Sequence, residues 1–188
     1  MNQVHKRYEY WSWKNFFSKE EIKNLEDTFN THPSKDAKDV PAQNATKKVR
    51  HSFSCYGNFR NSLQDLHQRI LNVNRNYFGY TLWEQSDYDI VFLNEYHSTD
   101  KGEYDWHKDG SNNFIYDYKF TVLINCSTQP YTGGDFYLMD NGGSYTPDNF
   151  KNPGDVIIFK SNTLHKVTPV TKGIRKTMAF FYYGAKQN

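Results

Sequence analysis

From Asp89 to the end of the chain, short apolar runs are cut at near-regular intervals by glycine and proline turn signals, and this rhythm restricts the fold more than any other feature. Ile90-Val91-Phe92-Leu93-Asn94-Glu95-Tyr96 is the first run, and Phe120-Thr121-Val122-Leu123-Ile124-Asn125 the second. Gly133-Gly134 precedes Asp135-Phe136-Tyr137-Leu138, and Asn141-Gly142-Gly143 follows it. Pro153-Gly154-Asp155 launches Val156-Ile157-Ile158-Phe159, and residues 165–169 and 175–183 close the series. Strands this short, at this spacing, predict an antiparallel sandwich or barrel. The side-chain inventory agrees. Mean hydropathy is -0.90, yet aromatics make up 18% of the chain, so Tyr and Phe must do much of the burying. Such residues fit a pleated, half-buried surface.

The N-terminal part reads differently. Tyr8 and Tyr10 alternate as in a strand, within an aromatic cluster over residues 8–17 that reads as core packing. Ser18-Lys19-Glu20-Glu21 has the form of a capping box, with Phe17 at the staple position before it. Ile22, Leu25 and Phe29 follow at helical spacing, and His32-Pro33 should end the helix. Residues 31–48, with Pro33 and Pro41, read as a long polar loop, and residues 49–56 as a weak strand. A second helix is expected over residues 62–78, with Leu63, Leu66, Ile70, Val73 and Tyr77 as its stripe and Gly79 as its stop. The expectation is one domain over residues 1–188, mainly β (α+β), with the N-terminal helices supporting the sheets.

Composition excludes several classes. The net charge is +2 with no basic run, so neither a nucleic-acid nor a membrane partner is expected. No stretch approaches the ~18 apolar residues of a membrane span, and the first residues lack an apolar targeting core, so a cytoplasmic protein is expected. Cys55 and Cys126 form no Cys-x-x-Cys pair and read as small buried apolar residues.

The chemistry lies in Tyr104-Asp105-Trp106-His107-Lys108-Asp109-Gly110 and, far downstream, in Asn162-Thr163-Leu164-His165-Lys166-Val167. Residues two apart in an extended segment share a face, so His107 and Asp109 can reach one point, with Trp106 pointing the other way. Taken alone, His-x-Asp also suits a surface turn before Gly110. With His165, it becomes a two-histidine, one-carboxylate set. That set occupies one face of an octahedral ion and suits non-haem Fe(II) oxygen chemistry.

Order and spacing then carry a resemblance. His107-Lys108-Asp109, Leu123-Ile124-Asn125, Gly133-Gly134-Asp135-Phe136, Pro153-Gly154-Asp155 and His165 through Arg175 together resemble the Fe(II)- and 2-oxoglutarate-dependent oxygenases, in their prolyl/lysyl-hydroxylase-domain branch. The likeness runs from Phe16 to Gly184. It implies a distorted double-stranded β-helix, a jelly-roll-like barrel, with His107, Asp109 and His165 as iron ligands. It aligns Arg175 with the basic residue that grips the distal carboxylate of 2-oxoglutarate, a task suited to a planar, permanently charged guanidinium. Thr177, on the same strand face, would add a hydroxyl to that carboxylate, and Tyr96 would touch the cosubstrate. Each also has a plainer reading, Arg175 as a salt-bridged strand residue and Tyr96 as a packed barrel tyrosine. One departure is Leu123, where some members place a tyrosine that binds the same carboxylate. Asn125 either orients the site or satisfies backbone.

The implied reaction hydroxylates an unactivated C–H bond, using Fe(II), 2-oxoglutarate and O2, with ascorbate as an accessory. The implied substrate is a prolyl residue of a peptide or protein, docked on aromatic loops containing Tyr104, Trp106, Tyr116, Tyr118 and Tyr131. A free amino acid or other small molecule is the alternative. Nucleic-acid demethylation fits less well, because that branch typically has a second arginine where Phe181 stands. A barrel that binds metal or a small acid without catalysis is the rival from another class. Halogenase-like variants lack the carboxylate ligand that Asp109 supplies. The remaining histidines are read outside the chemistry: His67 as a surface residue, His5, His32 and His51 in polar contexts without partners, and His97 in a turn.

Overall fold

The structure is a computed structural model and describes residues 9–34, 45–110 and 115–186. In chain order the elements are β1 (Tyr10–Trp13), α1 (Lys19–Thr31), β2 (Lys47–Lys48), β3 (Arg50–Cys55), α2 (Gln64–Val73), β4 (Ile90–His97) and β5 (Glu103–His107). They continue with β6 (Tyr116–Asn125), β7 (Thr132–Gly133), β8 (Phe136–Asp140), β9 (Gly143–Tyr145), β10 (Val156–Lys160), β11 (His165–Val167), β12 (Val170–Lys172) and β13 (Ile174–Ala185). A six-stranded sheet has the order β1-β10-β6-β13-β4-β3, and a five-stranded sheet the order β2-β5-β11-β8-β9. Every pairing is antiparallel, and the small β12-β7 pair completes the set. The fold is the expected double-stranded β-helix, mainly β with helices on one side.

Alternation along the strands separates two cores. Val91, Leu93, Val122, Ile124, Met178, Phe180 and Tyr182 point outward from the large sheet and pack with Ile22, Leu25 and Phe29 of α1 and Leu66 and Ile70 of α2. Tyr96, Leu123, Ile157, Phe159 and Ala179 point inward and meet Phe136, Leu138 and Val167 from the other sheet. The first core fixes the sheet's back; the second lies in the barrel, beside the candidate site.

Local chemistry explains the element ends. Ser18 Oγ accepts from Glu21 N at 3.2 Å, and Glu21 Oε2 accepts from Ser18 N at 2.7 Å, closing both halves of the capping box. In the Pro-Gly-Asp turn, a Cβ on Gly154 would collide with Phe17 O, and its φ of +85° favours glycine as well. Asp155, wholly buried, accepts from Asn15 N, Lys151 N and Asn152 N at 2.9, 2.9 and 2.7 Å. That turn therefore ties the chain's start to the strand carrying Phe159.

Several expectations change. The second helix ends at Val73 and continues as one wider turn over Asn74–Phe78, closed by Gly79 at φ +76°. Tyr77 leaves the buried stripe, is 44% exposed, and stacks on Trp11 at 4.6 Å. The wider turn rotates Tyr77 away from the face that Leu66 and Ile70 share. Cys55 is only half-buried, because it ends edge strand β3, whereas Cys126 is buried. Lys47–Lys48, expected in a loop, pair with β5. Tyr8, His5 and Pro41 lie outside the described residues.

Candidate metal centre

β5 ends on His107 and β11 begins on His165, and the two are direct cross-strand partners. Asp109 follows two residues past His107, where its N–H donates to Ser161 O at 2.9 Å. Three side chains from distant parts of the sequence thus converge. His107 Nε2 lies 3.8 Å from Asp109 Oδ1, and His165 Nε2 lies 3.4 Å from Asp109 Oδ2. One ligand atom from each residue lies within 4.8 Å of the other two, which leaves room for one ion between them.

Backbone carbonyls set the imidazole tautomers. His107 Nδ1 is 2.7 Å from Asp105 O, and His165 Nδ1 is 2.9 Å from Thr163 O. A carbonyl can only accept, so each Nδ1 carries the proton and each Nε2 turns a lone pair toward Asp109. Burial pushes His107 down to about 4, with His165 adding to the effect, and burial pushes His165 down to about 4 as well. Both rings are therefore neutral, the form that ligates. Burial raises the Asp109 carboxyl, against the opposing pull of His107 and a hydrogen bond from Thr121. A bound cation would relieve that penalty.

The surroundings hold this geometry. Thr121 Oγ1 donates to Asp109 Oδ2 at 2.7 Å and lies 3.0 Å from Ser161 Oγ. Tyr104 stacks on His107 with centroids 3.5 Å apart and planes at 9°, and Phe159 meets His165 edge-on at 4.8 Å. These rings lock the imidazoles and exclude water from their flanks.

Further inside the barrel, Arg175 pairs in register with Tyr96, and Thr177 with both Asn94 and Asn125. Directly paired residues share a face, so all project inward with Leu123. Arg175 is 2% exposed, and its Cζ lies 5.2 Å from the Tyr96 ring centre. Among the described residues it makes no hydrogen bond or ion pair. A buried charge normally has a partner. This guanidinium thus fits the carboxylate of a bound acid, and the three donors nearby fit a divalent ion. Burial raises the Tyr96 hydroxyl to about 12, so it stays protonated as a donor.

Comparison with known proteins agrees with this geometry. The family model of the 2OG-Fe(II) oxygenase superfamily matches residues 91–183, which include all three donors and Arg175. The chain belongs to the 2OG-Fe(II) oxygenase superfamily. A PKHD-type hydroxylase of Aliarcobacter butzleri is 35% identical over 125 residues, covering 61% of this chain and 51% of that protein. A PKHD-type hydroxylase of Herminiimonas arsenicoxydans is 39% identical over 62 residues, 32% of this chain and 26% of that protein. The chain therefore matches about half or less of these relatives' length. Among solved structures, a Pseudomonas putida prolyl-4-hydroxylase superposes with a TM-score of 0.65 at 14% identity, covering 93% of this chain and 92% of that one. A Trichoplax adhaerens prolyl hydroxylase, in complex with a hypoxia inducible factor peptide fragment, gives 0.67 at 15% identity, with 93% and 83% coverage. At these identities the likeness shows the fold.

Other residues fall outside the centre. Asn125 Nδ2 donates to Lys151 O and its Oδ1 accepts from Ser127 N, each at 3.0 Å, so it satisfies backbone. His67, expected at the surface, is half-buried, with Nδ1 2.7 Å from Tyr182 Oη and its ring stacked on that tyrosine. His51, expected without partners, points into the barrel, 2.6 Å from Asn94 Oδ1. Both corrections have one cause: a neighbouring strand or helix supplies the partner. His32 Nδ1 lies 2.8 Å from Thr31 Oγ1, and His97 Nε2 lies 3.2 Å from Glu95 Oε2.

The five aromatics expected to form one groove are dispersed. Tyr104 covers His107, while Trp106 faces outward beneath Lys166, 4.7 Å from its Nζ. Tyr116 and Tyr118 cluster with Tyr183. Tyr131 lines a cleft of about 570 Å³ together with Gly134, Phe136, Phe150 and Arg175. Sequence reading missed Thr121, Ser161 and the carbonyls of Asp105 and Thr163. No local pattern marks them, because each acts through a neighbour brought in by pairing.

Proposed function

We propose that this protein is a dioxygenase that hydroxylates a prolyl residue of a peptide or protein, with Fe(II) held by His107, Asp109 and His165 and 2-oxoglutarate as cosubstrate. The observation that carries it is the pairing of a neutral-imidazole, one-carboxylate donor set with a buried, unpartnered guanidinium in one barrel. Fe(II) bound there, with 2-oxoglutarate and O2, supplies the oxidising chemistry that side chains lack. The chain's own residues do the rest. Asp105 O and Thr163 O keep the two Nε2 atoms free, and Thr121 orients the carboxylate. Arg175 receives the distal carboxylate through charge-assisted hydrogen bonds, with donors from Thr177 and Tyr96 within the same inner face. Leu123 adds no polar group there, so the load falls on Arg175. Tyr104 and Phe159 shield the imidazoles from water.

The peptide substrate is supported by what similar proteins are called: PKHD-type hydroxylases, and prolyl hydroxylases of known structure, one with a peptide bound. Ascorbate as accessory reductant belongs to the same reading. The two free thiols, Cys55 and Cys126, fit a reducing, cytoplasmic setting, and no helix among the described residues is long and apolar enough to cross a membrane. The decisive experiment incubates the protein with Fe(II), 2-oxoglutarate and proline-containing peptides. Succinate should form together with a peptide mass gain of one oxygen. Succinate without any oxidised peptide or amino acid, across a broad library, rejects the hydroxylase reading.

A further inference from the structure

Two asparagines flank Thr177 on the inner face of the large sheet, Asn125 from β6 and Asn94 from β4. They are not equivalent. Asn125 is buried and uses both ends of its amide on backbone, through Lys151 O and Ser127 N. Asn94 is half-buried and uses one end: its Oδ1 lies 2.6 Å from His51 Nδ1. A carbonyl oxygen can only accept, so His51 donates from Nδ1, and the bond fixes the Asn94 amide with Nδ2 on its other side. Among the described residues that nitrogen makes no hydrogen bond, whereas Nδ2 of Asn125 is engaged. An amide with two N–H donors, oriented by a neighbour and left open inside a barrel, suits a ligand that accepts.

Its position says which ligand. Inward residues of β4 and β13 form successive cross-strand rows, two residues or about 7 Å apart along each strand. Arg175 and Tyr96 make one row, Thr177 and Asn94 the next, and Ala179 and Phe92 the third. Phe181 follows, opposite Thr121, whose hydroxyl holds Asp109. The Asn94 row therefore stands between the guanidinium and the metal donors, one step from Arg175. A keto acid held by the ion at one end and by Arg175 at the other crosses it. The third row shows why a donor is needed. Ala179 is flanked by Leu123 on β6 and Phe92 on β4, and neither can donate. A carboxylate offers about four lone-pair sites, and Arg175 supplies its charge without filling them all.

We propose that Asn94 Nδ2 donates to the distal carboxylate of 2-oxoglutarate, in place of the donor absent at Leu123, and that His51 is the residue that positions it. This rests on the 2-oxoglutarate-dependent reading and adds a residue to it. The test is calorimetric and needs no turnover. The full chain, loaded with Fe(II) without oxygen, is titrated with 2-oxoglutarate and with 2-oxopentanoate, which has the same carbon chain and lacks the distal carboxylate. Asn94→Asp separates binding from structure, because it keeps the acceptor for His51 and replaces the N–H donors by a charged oxygen. It should weaken 2-oxoglutarate about a hundredfold or more and leave 2-oxopentanoate within about twofold. Asn94→Ala should weaken 2-oxoglutarate about tenfold. His51→Ala should weaken it about three- to fivefold, and should add nothing once Asn94 is already alanine. Asn94→Asp protein that binds 2-oxoglutarate as the wild type does overturns the assignment, because a merely structural amide predicts that result. Equal weakening of both acids overturns it as well, since the change would then lie in the whole pocket. A His51→Ala loss that persists beside Asn94→Ala overturns the positioning role. The wild type separates the two readings. If it binds 2-oxoglutarate no more tightly than 2-oxopentanoate, the cosubstrate reading fails and takes the assignment with it. Tight, carboxylate-dependent binding by the wild type together with an indifferent Asn94→Asp removes Asn94 alone.

Discussion

Arg175 and Lys176 are adjacent cations on β13, and they meet opposite fates. Lys176 points outward and lies 2.9 Å from Glu26 Oε1 of α1 and 3.1 Å from Glu95 Oε1 of β4. Arg175 points inward, is more deeply buried, and has the Tyr96 ring beside its guanidinium, with no hydrogen bond or ion pair among the described residues. The same split runs up the strand. Outward Met178, Phe180 and Tyr182 are sealed under the helices, while inward Thr177, Ala179 and Phe181 line the barrel. One face satisfies its polar groups internally and is built for stability. The other leaves a buried cation, Arg175, for something the chain does not itself contain.

The sharpest challenge to this contrast removes the centre itself. Asp109→Ala and His107→Ala should each lower metal-dependent 2-oxoglutarate turnover by about a thousandfold or more, with far-UV circular dichroism unchanged. Full turnover in either variant would remove the assignment. Next, Phe180→Ala should destabilise by about 3–5 kcal/mol in denaturant melts, and Phe181→Ala by roughly 1–2 kcal/mol, because only Phe180 leaves a closed cavity. Comparable losses would mean the two faces do the same job.

The imidazoles predict a pH effect. The unfolded histidines take up protons near pH 6.5, the folded ones only near 4. Between those values the unfolded chain binds more protons, so metal-free protein should lose stability as pH falls from about 6.5 to about 4. The effect is on the order of 3 kcal/mol per imidazole, partly offset by Asp109, whose raised carboxyl acts in the opposite sense. Replacing both histidines with glutamine should flatten the melts across that window; an unchanged slope would refute the burial argument.

The adjacent cations offer a direct swap. Arg175→Met should raise KM for 2-oxoglutarate about a hundredfold, equivalent to about 2–3 kcal/mol of charged hydrogen bonding, with no loss of stability. Lys176→Met should leave KM alone and reduce stability by about 1 kcal/mol, since its partners are partly exposed. The smallest effect is expected from Thr121→Val, about a tenfold loss of metal affinity by equilibrium dialysis. A larger fall in stability than in affinity would make Thr121 merely structural.

Much of the outline was legible in one dimension. The capping box at Ser18, the turn at Pro153-Gly154-Asp155 and the alternation along β13 are local chemistry, decided by residues within a few positions of one another. That alternation places Arg175 and Thr177 on one face before any partner strand is known. The separation of His107-x-Asp109 from His165 names a donor set by residue type alone. What the chain could not announce is which strand lies beside which. Pairing of β5 with β11 gives the two imidazoles a common point, and pairing of β6 with β13 sets Phe181 against Thr121. It also supplies the partners of His51 and His67, and disperses Tyr104, Trp106 and Tyr131 to separate places. Periodicity specifies the side of a residue's own strand; only tertiary contact supplies what stands across from it.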